Sequence, residues 1–260
     1  MNRSRIRDTW EKRARENQKE IKGVLLIGLP NFLNESISRW QMGLLNSKVV
    51  SNLKEGANVL DLASGYGRLS KAIKCIRNDV EFFGIDLSLE YCKHYKEIGL
   101  SICSDISSLP IKNNYFDLII LTTGLMYIEK NNLSSSLSNI FSKLRLGGVA
   151  FFCEPGLEVM DFIEKIRFKG SISETGGKGF YMNEFREIFE REDLEVLYFG
   201  SNLCLTLVMP ICIIFRRFPI VSKNLAELAN FIDSKLNFSG RFAMHRCILV
   251  RKRANGRTEN

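Results

Sequence analysis

The stretch from Asn58 to Ser70 constrains the fold of this chain more than any other, and it reads N-V-L-D-L-A-S-G-Y-G-R-L-S. Its first part is a short apolar run around a single acid, Asp61, which predicts a buried strand. Gly65 and Gly67 follow and predict a tight turn that leads into a helix. A second apolar run, V-E-F-F-G-I-D-L-S, ends near Asp86. Acids at these places in two successive strands favour a sheet that binds a ligand beyond its strand ends.

The rest of the chain alternates apolar strands with helical patterns, which predicts a parallel sheet covered by helices on both faces. Two helices come first, one over the first twenty residues and one over residues 36–53 with Ser36 as its N-cap. Residues 23–34 between them are predicted to be a loop or short turn. The predicted strands are residues 59–63, 81–86, 100–103, 116–122, 149–154, 195–200 and 242–251. The later predicted helices are residues 68–76, 89–98, 133–144, 183–190 and 223–236.

Composition is that of a globular protein, since 45% of the 260 residues are hydrophobic and 25% are charged. The formal net charge of +8 allows an anionic partner but does not require one. Seven scattered cysteines without a C-x-x-C pair, and only two histidines, argue against a metal site and predict reduced thiols in a cytoplasmic protein. The polar N-terminus does not have the pattern of a signal peptide, and the most apolar run, residues 203–215, is too short to cross a bilayer.

The chain resembles the class I S-adenosylmethionine-dependent methyltransferases, most strongly in the first strand, its glycine turn and Asp86. The resemblance continues in C-S-D-I-S-S-L-P and F-D-L-I-I-L-T-T-G-L-M-Y-I. It extends to L-R-L-G-G-V-A-F-F-C-E-P-G, where Gly147-Gly148 would end a helix, and to the final M-H-R-C-I-L-V-R-K-R. It implies an α/β fold with a doubly wound, seven-stranded Rossmann-like sheet whose last strand is antiparallel.

The match to this family covers about residues 55–200 and the last strand, and the remaining segments divide the chain. Residues 1–54 are predicted to be an N-terminal helical lid or substrate segment, although the stripe with Ile6 and Trp10 also fits a helix packed on the domain's edge. Residues 55–201 and 241–253 are predicted to be the cofactor-binding core. Residues 202–240 are predicted to be a helical cap over the active site, and the glycine-rich residues 170–180 a flap.

S-adenosylmethionine is the cofactor that the resemblance implies, with S-adenosylhomocysteine (SAH) as its product. Asp61 suits the ammonium group, and Asp86 can accept both ribose hydroxyls, with Leu87 on the adenine. The resemblance places Asp105 at the adenine amino group and Ile106 on the ring. Ordinary structural roles for the two strand acids are the alternative. The full set of predicted cofactor contacts is Asp61, Ala63, Gly65, Tyr66, Gly67, Asp86, Leu87, Asp105, Ile106, Thr122 and Leu125.

The chain departs from the family pattern at Ala63, where many members have glycine, and at Tyr66, which is bulkier than usual. Where some members carry a pair of histidines, this chain has Met126 and Tyr127. Tyr127 and Glu154, at the ends of the fourth and fifth strands, are the predicted catalytic residues that orient a nucleophile. The alternative is that they are a pocket wall and a structural acceptor.

Three functions remain open. The first is methyl transfer to a hydroxyl or amine of a small molecule such as a sugar, a natural product or a lipid-linked intermediate. The second is methylation of RNA or another nucleic acid, prompted by the basic charge, but the sequence has neither an N/D-P-P-Y/F motif nor a recognisable RNA-binding module. The third is a catalytically silent cofactor-binding protein. The apolar, arginine-containing residues 203–221 also fit peripheral contact with a membrane.

Overall fold

The computed structural model describes residues 3–166, 177–236 and 239–253. Seven strands form one sheet in the order β3-β2-β1-β4-β5-β7-β6. Strands β1 to β5 pair in parallel, and β7 runs antiparallel to both of its neighbours, β5 and β6. The predicted doubly wound, Rossmann-like sheet with an antiparallel last strand is therefore confirmed. The strands are β1 (Asn58–Leu62), β2 (Glu81–Asp86), β3 (Leu100–Cys103), β4 (Phe116–Thr122), β5 (Leu144–Pro155), β6 (Leu194–Ser201) and β7 (His245–Lys252).

Ten α-helices occur in the described ranges, and most lie between successive strands. They are α1 (Arg3–Asn17), α2 (Ile21–Val24), α3 (Asn31–Lys48), α4 (Arg68–Lys74), α5 (Leu89–Tyr95), α6 (Lys130–Lys143), α7 (Leu157–Ile166), α8 (Met182–Glu187), α9 (Leu203–Ile214) and α10 (Pro219–Leu236). The sequence predicted neither α2 nor α7, and α9 was predicted only as part of the helical cap over residues 202–240. Most of the predicted flap, residues 170–180, lies outside the described residues.

The start of the second long helix differs from the prediction. Helix α3 begins at Asn31, with Pro30 at its N-cap, so the predicted loop over residues 23–34 is wrong at both ends. Ser36 is therefore inside the helix and is not its N-cap. Its hydroxyl donates to the carbonyl of Phe32 at 2.9 Å, a bond back along the same helix.

The turn before the fifth strand also differs. Helix α6 ends at Lys143, and Gly147-Gly148, predicted to end that helix, lie inside β5. Gly147 has a φ of +74°, and the pairing of β4 with β5 shifts register between Phe116 and Leu118. A local irregularity of this kind needs a residue that tolerates left-handed backbone, which explains the glycine.

The core has two layers because neighbouring strand residues point to opposite faces. Ile119 and Leu121 of β4 pack with Phe141 of α6 on one face. Leu118 and Ile120 pack with α3, α4 and α5 on the other. Strand β1 lies between β2 and β4, so its C-terminal end is the point where the strand order reverses and where ligands bind in sheets of this kind.

Helices α9 and α10 form a helical hairpin inserted between β6 and β7. Leu205 and Met209 of α9 pack with Leu33 and Ile37 of α3 in a third apolar cluster. The buried Asp233 of α10 accepts the N–H groups at the start of α9, at 2.8 and 2.9 Å, and so caps that helix. Within the described ranges, no helix combines the length and the apolar character that a membrane crossing requires.

Candidate active site

A cavity lies beyond the C-terminal ends of β1, β2 and β4 and encloses about 720 Å³, its open mouth included. Seven of the residues predicted for the site line it, and its remaining walls come largely from the N-terminal segment and from the loop after β4. Those seven are Ala63, Gly65, Asp86, Leu87, Asp105, Ile106 and Tyr127.

Asp86 stands at the end of β2 with its side chain on the cavity wall. One carboxylate oxygen accepts the N–H of Gly65 and the other accepts the N–H of Ser88, both at 2.8 Å. Burial raises the pKa of the Asp86 carboxyl from 3.8 to about 6. Each oxygen keeps a further acceptor position, so the ionised group can still receive two hydroxyl donors from the cavity.

The glycine turn brings backbone close to the cavity. Gly65 has a φ of +55°, and a Cβ there would lie 2.7 Å from the Val24 side chain. Ala63 lines the cavity with a φ of +51°, although it carries a side chain where many class I enzymes have glycine. A non-glycine residue in this region is strained by about 1 kcal/mol or more, a cost that the surrounding sheet must offset.

Gly67 and Tyr66 do not line the cavity. Gly67 is at the N-cap of α4 with a φ of +80°, and a Cβ there would lie 2.3 Å from Ile98. This glycine is therefore required by helix packing and backbone conformation. The next residue, Arg68, turns toward α3 and donates to Ser38 and Gln41, each at 2.6 Å.

Asp61 is buried below the turn and is also absent from the cavity wall. Its carboxylate accepts the hydroxyl of Ser70 at 2.6 Å, and the Tyr95 hydroxyl donates to Ser70 at 2.9 Å. Burial raises the pKa of Asp61 from 3.8 to about 7. Ser70, the residue that replaces the third glycine of a dinucleotide fingerprint, thus joins β1 to α4 and α5 through this acid.

Asp105 and Ile106 form the far side of the cavity with Leu87. One Asp105 oxygen accepts both the backbone N–H and the hydroxyl of Ser107, at 2.8 and 2.7 Å. The other faces the guanidinium of Arg3 at 2.9 Å. The acid predicted at the adenine amino group is therefore held by its own loop and reached by the N-terminal helix.

Helix α1 lies against the cavity and contacts loops on two sides of it. Ile6 and Trp10 line the cavity, and the Trp10 ring meets Tyr127 edge-on at 5.8 Å. Glu11 accepts the Ser88 hydroxyl at 2.7 Å, next to Asp86. The helix is thus held on both sides of the cavity by polar and aromatic contacts.

The two predicted catalytic residues lie in different environments. Tyr127 is on the cavity wall, whereas Glu154 is fully buried behind it. One Glu154 oxygen accepts the N–H groups of Gly124 and Leu125 at 2.8 Å, and the other accepts that of Met126 at 3.4 Å. The prediction that Glu154 faces the pocket is therefore wrong: this carboxyl holds the loop after β4. Burial raises its pKa from 4.5 to about 8.

Two further predicted contacts, Thr122 and Leu125, do not line the cavity, and their neighbours Thr123 and Gly124 do. Thr123 has a φ of +54°, which rotates the chain after β4. Apart from Thr123 and the lid residues Ile6 and Trp10, the cavity-lining residues that were not predicted for the site are Arg3, Val24, Tyr91, Ser104, Gly124 and Ile128. Tyr91 could not be found from a motif, since it reaches the cavity from inside α5.

The helical hairpin was predicted to cap the active site, but none of its described residues lines this cavity. Its buried side packs on α3 instead. The N-terminal segment is what covers the cavity, and the hairpin occupies a separate face.

Comparison with known proteins agrees with this geometry. Residues 59–148 match the family model of a methyltransferase domain. An uncharacterized protein of Methanocaldococcus jannaschii is 32% identical over 101 residues, 39% of this chain and 42% of that protein, so the match spans less than half of that relative.

Solved structures give the same result for the fold. Magnesium protoporphyrin IX methyltransferase of Synechocystis PCC 6803, with bound SAH, has a TM-score of 0.61 at 14% identity over 96% of this chain and 100% of that one. An S-adenosylmethionine-dependent methyltransferase of Clostridium acetobutylicum ATCC 824 has a TM-score of 0.57 at 15% identity, over 83% and 92%.

Proposed function

Because this chain has the class I S-adenosylmethionine-dependent methyltransferase fold and a methyltransferase domain over residues 59–148, we propose that it methylates a hydroxyl or amine of a small molecule. S-adenosylmethionine is its cofactor. The methyl acceptors that we propose are a sugar, a natural product or a lipid-linked intermediate. The observation that supports a small acceptor is the lid: α1 covers the cavity through Arg3, Ile6 and Trp10.

The cavity residues fit the cofactor. Asp86 is a buried carboxyl whose oxygens are fixed by two N–H groups and can accept ribose hydroxyls. Gly65 lines the cavity without a side chain, so a ligand can approach its backbone. Leu87 and Ile106 supply apolar walls for an adenine ring, with Asp105 beside them to accept its amino group. We propose these five residues as the holders of the cofactor.

Asp61 has a different proposed role. Since its carboxylate is occupied by Ser70 below the cavity, we propose that it positions the glycine turn and acts on the ammonium group only through water.

The bound cofactor supplies a methyl group already activated by a sulfonium, so the protein contributes mainly alignment and exclusion of water. Trp10 and Ile6 of the lid exclude water from one side of the cavity. Tyr127, in edge contact with Trp10, orients the acceptor through its hydroxyl. Glu154 acts through the loop that it holds, by fixing the N–H groups of residues 124–126, and is a positioning residue.

A nucleic-acid acceptor is less well supported. A nucleic-acid strand would need an open groove lined by cations, but the lid covers this cavity. Arg3 is the single cation among the described residues that line the cavity, and it is paired with Asp105.

We also propose a division of the chain into a lid segment (1–54), a cofactor-binding core (55–201 and 241–253) and the helical segment 202–240.

The proposal is tested by following transfer of a labelled methyl group. The purified chain is incubated with methyl-labelled S-adenosylmethionine and with separate small-molecule, RNA and protein fractions of a cell extract. Label should enter the small-molecule fraction and should be lost with Asp86→Asn. Label confined to RNA would support the nucleic-acid alternative, and no transfer to any fraction despite cofactor binding would support the catalytically silent one.

A further inference from the structure

The turn of the helical hairpin carries an unusual concentration of exposed apolar side chains. We call residues 213–221, from the end of α9 to the start of α10, the hairpin tip. All nine of its residues are exposed. Ile214 and Ile220 are each 75% exposed, and Phe218 is 62% exposed. Ile213, Phe215 and Val221 are also exposed. Large apolar side chains exposed in such a group mark an interaction surface more often than a solvated one.

The hairpin tip is a fixed structure. The backbone carbonyl of Phe215 accepts two hydrogen bonds, one from the Ser222 hydroxyl at 2.9 Å and one from the N–H of Phe218 at 2.8 Å. Ser222 and Cys212, which flank the tip, are both buried. The apolar side chains are therefore held outward by the fold of the turn.

These side chains have no role in the rest of the described chain. The hairpin's buried side, with Leu205 and Met209, already packs on α3. No described hairpin residue lines the cavity beneath α1. The tip is thus neither core nor active-site wall.

The charge of this surface selects its partner. Arg216 and Arg217 lie in the middle of the tip, and Lys223 follows in the first turns of α10. No acidic residue occurs anywhere between residues 203 and 226 of the sequence. A two-fold contact with a second copy would bring both pairs of arginines together without a neutralising acid. An anionic surface would pair with them instead.

We propose that the hairpin tip docks this protein peripherally on an anionic lipid bilayer, with its apolar side chains among the acyl chains and its arginines at the headgroups. A pair of short helices that ends in such a turn can enter the interface without crossing it. The docking does not depend on which acceptor is methylated.

Flotation of the full chain with lipid vesicles tests this proposal. The wild type should float with phosphatidylcholine vesicles that contain phosphatidylglycerol, and less at high salt. The double substitution Ile214→Ser and Ile220→Ser should lower the partition coefficient by about tenfold or more, since two apolar side chains lose their insertion. Arg216→Ala and Arg217→Ala should each lower it about fivefold, and only on anionic vesicles.

The matched control is Leu100→Ser with Leu146→Ser, because these side chains are 67% and 62% exposed but belong to β3 and β5. The control should float as the wild type does, and all variants should keep the wild-type melting temperature and SAH affinity. Absence of wild-type flotation, or equal loss in tip and control variants, would overturn the proposal. A wild-type dimer that the tip substitutions convert to a monomer, without flotation, would assign the surface to a second copy.

Discussion

The substitution Glu154→Gln tests how the loop beside the cavity is held. The Glu154 oxygen that accepts the N–H groups of Gly124 and Leu125 can be replaced by the glutamine carbonyl in the same place. Only the 3.4 Å contact with the N–H of Met126 is lost. When the carboxyl is protonated, the substitution should therefore lower the free energy of unfolding by only about 1 kcal/mol.

The pH dependence of this difference is the informative part. Burial raises the pKa of Glu154 from 4.5 to about 8 in the folded chain. Between these pH values the folded protein holds a proton that the unfolded chain has released, so the wild-type free energy of unfolding falls as pH rises. The slope from this group is about 1.4 kcal/mol per pH unit, or about 5 kcal/mol over the window. Glutamine does not titrate, so the variant should be slightly less stable at pH 5 and more stable at pH 8.

Urea denaturation of both proteins at each pH unit from 5 to 8 measures this crossing. The exposed substitution Glu187→Gln is the control and should run parallel to the wild type. A variant that is less stable by a constant amount at every pH would show that Glu154 is ionised throughout, with its three N–H donors outweighing burial. That result would refute the argument.

Three further predictions concern the turn, the lid and the acid on the cavity wall. Gly67→Ala should lower the free energy of unfolding by about 1–3 kcal/mol because Gly67 has a positive φ and a crowded site. Gly43→Ala, in an open helical position, should raise it by up to about 1 kcal/mol, and equal effects of the two variants in chemical denaturation would contradict this. Trp10→Ala should weaken SAH binding about three- to tenfold in calorimetry, because the edge contact between Trp10 and Tyr127 is lost. The control Lys12→Ala should leave SAH binding unchanged, and equal effects of the two variants would exclude the lid role. SAH affinity should rise about tenfold from pH 5 to pH 7 because Asp86, with a pKa of about 6, must ionise to accept hydroxyls; a flat profile would show that it does not.

The sheet could be predicted from sequence because its signals are local. The bounds of β2, β3 and β4 agree with the predicted residues 81–86, 100–103 and 116–122. Each of these strands is a short, largely apolar run bounded by polar or turn residues. The apolar run predicts the strand, and the residues on either side predict where it begins and ends. The bounds of α9 were not predicted, since Pro210 lies inside that helix.

The direction in which a buried acid points could not be predicted. Asp86 and Glu154 both stand at the ends of parallel strands, yet one lies on the cavity wall and the other behind it. The difference arises from the loop after β4, whose N–H groups turn toward Glu154. That loop conformation depends on Thr123, a non-glycine residue with a positive φ. No sequence pattern predicts a positive φ at a threonine.

Val24 was missed for a different reason. Gly28 and Pro30 suggested a loop over residues 23–34, but Pro30 instead stands at the N-cap of α3, where its missing N–H costs nothing. The segment before Pro30 is short, and it places Val24 beside the glycine turn. There the Val24 side chain occupies the space that a Cβ of Gly65 would need.

Calorimetric titration of the full chain with S-adenosylmethionine and SAH tests the central claim, that the cavity at Asp86 holds the cofactor. We predict one site per chain, with affinity reduced at least tenfold by Asp86→Asn and unchanged by the exposed substitution Asp8→Asn, both variants keeping the wild-type fold by circular dichroism. Well-folded protein that binds neither ligand, or that binds both equally well with Asp86→Asn, would contradict the account.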